Sequence, residues 1–377
     1  VRKTISILLL FSICITCITG FAQSKEVGGN GNYYPAKKWK VSTPEQQGMD
    51  SELLLKMFKL YGEKGRIIII RNGFMVTDYD QSYLKKDIHH IHSCTKSIIS
   101  ALIGVALQDG YLKALDQPIL SFFPDYKKIE NLDFDKKKIS IYHLLTMSSG
   151  MKWCDNPNID SNQMNESSDW IQYILDRPML EEPGRIWNYN SGGSQLLSII
   201  LQKTTKISAE DYAKEKLFQP LGINKVNWWK NPQGYSTAGW GLHLSSFDIT
   251  KISYLFLREG HWGNQQVIPS GWVSKSTEKH FMVKNGFGNG FSYGYQWWVY
   301  NGLPYYAYKA WGSFAKHAVM MIVIPQLDMV VVLAGNNKND KQLLKSFIIP
   351  SVKSSKSIIS KPEIVKGLKK VIDLSSK

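Results

Sequence analysis

Cysteine is scarce in this chain, four residues in 377, and two of them, Cys14 and Cys17, lie close to the start. That excludes a small disulfide-stapled scaffold, and a chain of this length buries enough core to need no staple. No Gly-x-Gly-x-x-Gly phosphate loop occurs, and no internal repeat. After the first residues no apolar run is long enough to span a bilayer. Histidine is thin as well, eight in all. The densest group, His89-His90-Ile91-His92, has no carboxylate or cysteine nearby at ligand spacing, so it reads as an approach segment and no metal is assigned. Acidic residues are outnumbered, 31 against 46 Lys and Arg, for a net charge of +15.

The start of the chain reads differently from the rest. Arg2 and Lys3 precede an apolar run from Ile5 to Ile18, and Gly20-Phe21-Ala22 supplies small residues for cleavage. Charge, length and exit chemistry predict a secretory signal over 1–22. Thr16 before Cys17 is poor for a lipid-modification site. The protein is therefore expected to be secreted or periplasmic, with no transmembrane domain after signal removal. Cleavage takes the two charges of Arg2 and Lys3, and much of the remaining excess is scattered, with a cluster between Lys353 and Lys377. An exported protein makes nucleic acid an unsuitable partner. Cleavage also leaves only Cys94 and Cys154, which could pair in an oxidising compartment, although two free thiols are the simpler reading.

Along the chain, 23–41 reads as a Gly-rich linker, and 351–377 as a basic tail. A helix is expected over 51–61. Arg66–Arg71 and Phe74–Thr77 flank Asn72-Gly73 as a hairpin. From 93 to 240 the pattern is mostly helical, with helices at 140–150, 191–203 and 209–217. Another spans 247–258, behind the capping residues Ser245 and Ser246. Strands are expected at 295–300, 305–310, 317–324 and 329–333, and a closing helix at 341–348. The architecture predicted is α+β: a sheet from 42–92 and 241–350, with the helical region 93–240 inserted.

Chemistry enters at Ser93-Cys94-Thr95-Lys96. Residues i and i+3 share a helix face, so the Lys96 amine can reach the Ser93 hydroxyl as its base. The following run, Ser97 to Leu107, is apolar nearly all round and predicts a buried helix that stops at Gly110. The same spacing recurs at Ser82/Lys85, Ser276/Lys279 and Ser313/Lys316, so context has to distinguish Ser93. Part of that context is Pro183-Gly-Arg-Ile-Trp-Asn-Tyr189-Asn-Ser191-Gly-Gly193, which puts Tyr189 at a loop-to-helix junction. Beside a cation its phenol is expected to titrate lower and to relay a proton, and a desolvated Lys96 is easier to neutralise. Ala310-Trp311-Gly312-Ser313, on a strand, could offer a backbone N–H to an oxyanion.

In this order the three pieces resemble the serine β-lactamase and penicillin-recognising family, in its class C-like branch with esterases and 6-aminohexanoate-dimer hydrolases. Ile139–Met151 and Leu217–Ile223 add to the resemblance, which covers roughly 42–350. It implies an antiparallel sheet flanked by helices, an all-helical subdomain and a cleft between them. By resemblance Ser93 is the acylated nucleophile, Lys96 the general base and Tyr189 the proton relay. The backbone N–H groups of Ser93 and Ser313 form the oxyanion hole, and no cofactor is needed.

Two departures bear on the substrate. The family's Tyr-x-Asn stands here as Tyr189-Asn190-Ser191, which keeps a hydroxyl and loses an amide. Its Lys-Thr-Gly stands as Ala310-Trp311-Gly312, without the cation that binds a substrate carboxylate. Strand alternation sends the adjacent Lys309 to the opposite face. A small-molecule ester or amide lacking that carboxylate fits better than a β-lactam or D-alanyl peptide, with Ser191, Trp311 and Gly312 binding it. A β-lactamase or D-Ala carboxypeptidase is the alternative; a binding protein that kept the fold and lost turnover is another. The sequence assigns no oligomeric state.

Plainer readings compete with these. Ser93 and Ser191 are both good helix caps, and Tyr189 could be a structural phenol. Most tryptophans read as core, Trp311 as pocket lining. The Asn- and Asp-rich stretch 152–170 reads as a lid. Gly290-Phe-Ser292-Tyr-Gly294 matches a nucleophile elbow but is followed by a strand pattern, so it is rejected.

Overall fold

The computed structural model describes residues 33–35, 38–61, 65–81, 88–155, 157–284, 290–312, 318–335 and 340–375. The segments read as a signal and, for the most part, as a linker lie outside them, as does Ser313.

An eight-stranded antiparallel sheet organises the molecule. Its order is Phe74–Asp80, Gly65–Arg71, Met329–Gly335, Ala318–Ile324, Tyr308–Trp311, Trp298–Tyr300, Phe291–Tyr293, Phe281–Met282. Strands from both ends of the chain pair next to its first edge strand, where Ile67–Ile70 face Leu333–Val330. The hairpin turns at Asn72 and Gly73, both with positive φ (51° and 82°), as its two-residue loop requires.

Alternation along the central strands gives each face its own core. Ile68, Ile70, Met321, Val323, Val330 and Val332 face the helical region, whereas Ile67, Ile69, Met320, Ile322, Val331 and Leu333 face the helix Ser51–Tyr61 and the C-terminal helices. All these side chains are essentially inaccessible to water, and each buried aliphatic contributes about 1.5–3 kcal/mol.

The helix Cys94–Gln108 lies between sheet and helical region, buried from Cys94 to Ala106. This accounts for its lack of a polar face. Gly104 permits the tight approach of Trp272, since a Cβ there would lie 2.4 Å from the indole. The helix stops at Gly110, which has φ 79°.

Several elements differ from expectation. The helix expected over 140–150 covers only Ile141–Leu145, capped by Ser140, because Met147 and Gly150 turn the chain with φ 56° and 77°. The strand expected at 305–310 is Tyr308–Trp311, and the one at 295–300 is Trp298–Tyr300, because Gln296 takes φ 63°. Strands Phe281–Met282 and Phe291–Tyr293 had no sequence signal. Ser292 sits in the latter, buried and bonded to Asn301, which agrees with rejecting it as a nucleophile.

Both termini contribute to packing. In the segment read as a linker, Tyr34 and Trp39 are buried against Tyr254. In the tail, the helix Pro362–Ser375 packs on Ser51–Tyr61 and on the edge strand Phe74–Asp80. The backbone of Lys40 and Ser42 pairs with Met75 at that same edge. Cys94 and Cys154 are both free thiols. No helix among the described residues is long and apolar enough to cross a membrane.

Candidate active site

Ser93 stands at the N-terminus of the buried helix, in the cap position, yet its side chain makes no capping bond. Its hydroxyl instead accepts a 3.1 Å hydrogen bond from Lys96 Nζ and is hydrogen-bonded to the Tyr189 phenol. The residue before it, His92, has φ 50°, which tips the nucleophile out of the approach strand and onto the helix.

Lys96 is buried and donates a second bond, of 2.7 Å, to the Gly239 carbonyl oxygen. Its Nζ lies 4.9 Å from the centre of the Tyr189 ring. Burial lowers its pKa to about 8; the charge of Asp155, and less so Cys94, opposes the shift. Gly239 lies close to both side chains: a Cβ there would stand 3.1 Å from Ser191 Cβ and 3.6 Å from Lys96 Nζ.

Tyr189 is fixed by the loop before it. Gly184 and Asn188 N–H groups donate to Ser148 and Met147 carbonyls, and the Asn188 amide donates to the Trp153 carbonyl. Asn190 caps the helix Ser191–Thr205 by accepting from the Gly193 N–H at 2.7 Å. The cap is therefore Asn190, and Ser191 is left to face the cleft. Burial pushes the Tyr189 phenol well above its ordinary pKa, partly offset by its bond to Ser93. This corrects the expectation of a lowered phenol: enclosure outweighs the neighbouring cation, and the group keeps its proton.

A cleft of about 480 Å³ opens over these residues, lined by His90, His92, Asp155, Ser191, Trp240, Trp298, Trp311 and Gly312 as well as Ser93 and Tyr189. The segment 152–170 forms one wall through Asp155 and the helix Ile159–Glu166, which brings Ser161, Asn162 and Asn165 to the cleft. Gly312 admits no side chain, since a Cβ would lie 2.4 Å from the Ile91 carbonyl oxygen. Its own carbonyl accepts from the Ser93 N–H at 3.3 Å, a long bond that an incoming oxygen can displace. Lys309 is on the far face, fully buried and paired with Asp340 at 2.7 Å, so it does not replace the missing cation at Ala310.

The structure thus brings together Ser93, Lys96, Tyr189, Ser191, Trp311 and Gly312. It adds three residues the sequence did not single out. Gly239 supplies a carbonyl, for which no sequence signal exists. Asp155 accepts from the Ser191 N–H at 2.8 Å. Gln296 receives Ser97 Oγ on its carbonyl and Ser194 Oγ on its amide oxygen, and its amide donates to the Leu144 and Leu145 carbonyls. It thereby ties together the helix that follows Ser93, the helix that follows Tyr189 and the helix Ile141–Leu145.

The beta-lactamase family model matches residues 63–345, an interval that contains all of these side chains. The chain belongs to the beta-lactamase family. Its fold is the one that family shares. A Bacillus subtilis protein named for penicillin binding, PbpX, is 24% identical over 285 residues, 70% of this chain and 66% of that one. The Staphylococcus aureus protein flp matches over 48% of its own length, so the chain spans less than two thirds of these relatives. Among solved structures, a Bacillus anthracis protein named for 6-aminohexanoate-dimer hydrolysis superposes with TM-score 0.65 at 16% identity, covering 90% of this chain and 87% of that one. The hydrolase EstCE1, described with promiscuous acyltransferase activity, gives 0.63 at 15% identity over 81% of this chain and 98% of that one. At these identities the structural likeness speaks for the fold alone.

Proposed function

We propose that this beta-lactamase-family enzyme cleaves a small-molecule ester or amide through an acyl-enzyme on Ser93. The supporting observation is the 3.1 Å bond between Ser93 Oγ and a buried Lys96 that has only neutral hydrogen-bond partners. With a pKa of about 8, roughly one tenth of Lys96 is the free amine at neutral pH. It takes the Ser93 proton as Oγ attacks the substrate carbonyl. The oxyanion forms against the backbone N–H groups of Ser93 and Ser313. Tyr189, which keeps its proton, gives it to the leaving group as the carbonyl re-forms and is reprotonated from the Lys96 ammonium. Water then attacks the ester, Ser93 recovers its proton, and the acid leaves. No step calls for a metal or organic cofactor.

Charge favours a substrate without a carboxylate. The cleft holds Asp155, position 310 is alanine, and Lys309 is committed to Asp340. A β-lactamase or D-Ala carboxypeptidase is the second reading, favoured by the likeness to PbpX. Export is part of the same proposal, supported by the basic residues Arg2 and Lys3 ahead of the apolar run Ile5–Ile18.

The test is intact-protein mass spectrometry of residues 23–377 mixed with a fluorophosphonate and, separately, with a penicillin. A fluorophosphonate adduct on Ser93, absent from Ser93→Ala, is expected, with little penicillin adduct. Efficient penicillin acylation would move the reading to the second one. Folded protein that takes neither reagent would sink both and point to a binding protein.

A further inference from the structure

The carbonyl that holds Lys96 belongs to Gly239, and the turn presenting it is fastened one residue beyond Trp240. The Gly241 N–H donates to His90 Nε2 at 2.8 Å, so that nitrogen carries no proton. On the other side of the same residue, His243 Nδ1 lies 3.1 Å from the Gly241 carbonyl oxygen, which requires the Nδ1 proton to point there. The Trp229 N–H shares that oxygen at 3.1 Å. The two imidazoles stack at 4.9 Å with 21° between planes, and the Trp229 indole lies 4.7 Å from His90.

Gly241 has φ 100°, and a Cβ there would meet Thr237 Oγ1 at 2.0 Å. The turn is also closed by Thr237 Oγ1 donating to the Trp240 carbonyl at 2.7 Å, and by the Ala238 N–H donating to Gln195 Oε1 at 2.9 Å. Glycines flank Trp240 on both sides, so the Gly239 peptide is free to rotate unless its neighbours are pinned. His90 lies on the strand His89–His90, three residues before Ser93, and therefore joins this turn to the nucleophile segment.

We infer that His90 is a positioning residue for proton transfer at Ser93, with His243 as its partner. By accepting the Gly241 N–H, His90 holds the turn in the rotation that aims the Gly239 carbonyl at Lys96 Nζ, and so keeps Nζ within reach of Ser93 Oγ. The inference rests on reading Lys96 as the base. Burial, and then the charges of His92, His243 and His89, lower the His90 pKa to about 3, which suits a permanent acceptor.

The test compares two amides. His90→Gln places an acceptor oxygen where Nε2 stands; His90→Asn is equally polar but stops one bond short. Acylation by a neutral fluorophosphonate is followed at several concentrations, to separate the rate of bond formation from binding, alongside thermal midpoints and Lys96→Ala. His90→Asn is expected to acylate about 10²-fold more slowly with binding unchanged. His90→Gln should stay within about threefold of wild type, because its acceptor restores the alignment. Equal rates for the two variants overturn the inference, as does a slow Asn variant whose whole deficit is in binding. Should Lys96→Ala acylate normally, the reading of Lys96 fails and takes the inference with it. Loss in Lys96→Ala with no loss in His90→Asn refutes the positioning role alone.

Discussion

Lys96 and Lys309 are both buried lysines, one on each side of the same sheet, and they are solvated in opposite ways. Lys309 has Asp340 at 2.7 Å and is ringed by Phe291, Tyr300 and Trp311, with its Nζ 4.1 Å from the Trp311 ring centre. Tyr300 donates to the same carboxylate. Lys96 has a serine hydroxyl and a backbone carbonyl. Burial lowers the pKa of each, but at Lys309 the opposing influence is a carboxylate in direct contact. At Lys96 it is the more distant charge of Asp155. Direct pairing holds a proton in place; neutral acceptors leave it transferable. The same residue type is thus structural in one setting and poised for chemistry in the other.

The largest way to break this contrast is to remove the amine at the cleft. Lys96→Ala should reduce fluorophosphonate acylation by about 10²–10⁴-fold while the thermal midpoint changes little. An acylation rate near wild type would refute a base role. Lys309→Met should do the reverse, leaving Asp340 buried without its cation at a cost of about 3–5 kcal/mol in denaturant titration. Acylation by protein that remains folded should fall far less than in Lys96→Ala. If Lys309→Met lost acylation with stability intact, the two lysines would not divide the work as described.

The smallest effect sharpens the comparison by pH. Wild-type acylation should rise with pH and level off above about 8, as Lys96 sheds its proton. Asp155→Asn removes the charge that favours the ammonium, so the inflection should move to lower pH; a move upward would contradict the assignment. Stability follows the same linkage. The folded pKa lies below the ordinary 10.5, so the unfolded chain binds this proton more tightly, and Lys96 makes stability rise with pH between about 8 and 10.5.

How much of this was legible in advance depended on where the information resides. Ser93 and Lys96 carry their pairing in helical spacing, and the Asn72-Gly73 hairpin carries its turn in two residue types. The central strands announce themselves through β-branched runs such as Ile67–Ile70 and Val330–Val332. Gly239 acts through a carbonyl that every residue has, so only its lack of a side chain could have marked it. Asp155 was hidden in a stretch rich in Asn and Asp, where one carboxylate looks like another loop residue. Gln296 was read as part of a strand, although its positive φ lets it leave the strand and bind three helices. The Tyr189 phenol was misjudged because sequence shows its cationic neighbour but not its enclosure. Strands of two or three residues, such as Phe281–Met282, are too short to show a period at all.

The helix Pro362–Ser375 has a consequence for how the molecule keeps to itself. The strand Phe74–Asp80 is the last of its sheet, and an unfinished sheet edge is a template on which another chain can add. Here the Lys40–Ser42 backbone occupies its beginning and the final helix lies beside it, with Leu368 buried in the shared core. Cutting the chain before Pro362 would leave the catalytic cleft untouched and uncover apolar surface next to a free edge. The price of such a truncation is aggregation, a loss of solubility without any loss of chemistry.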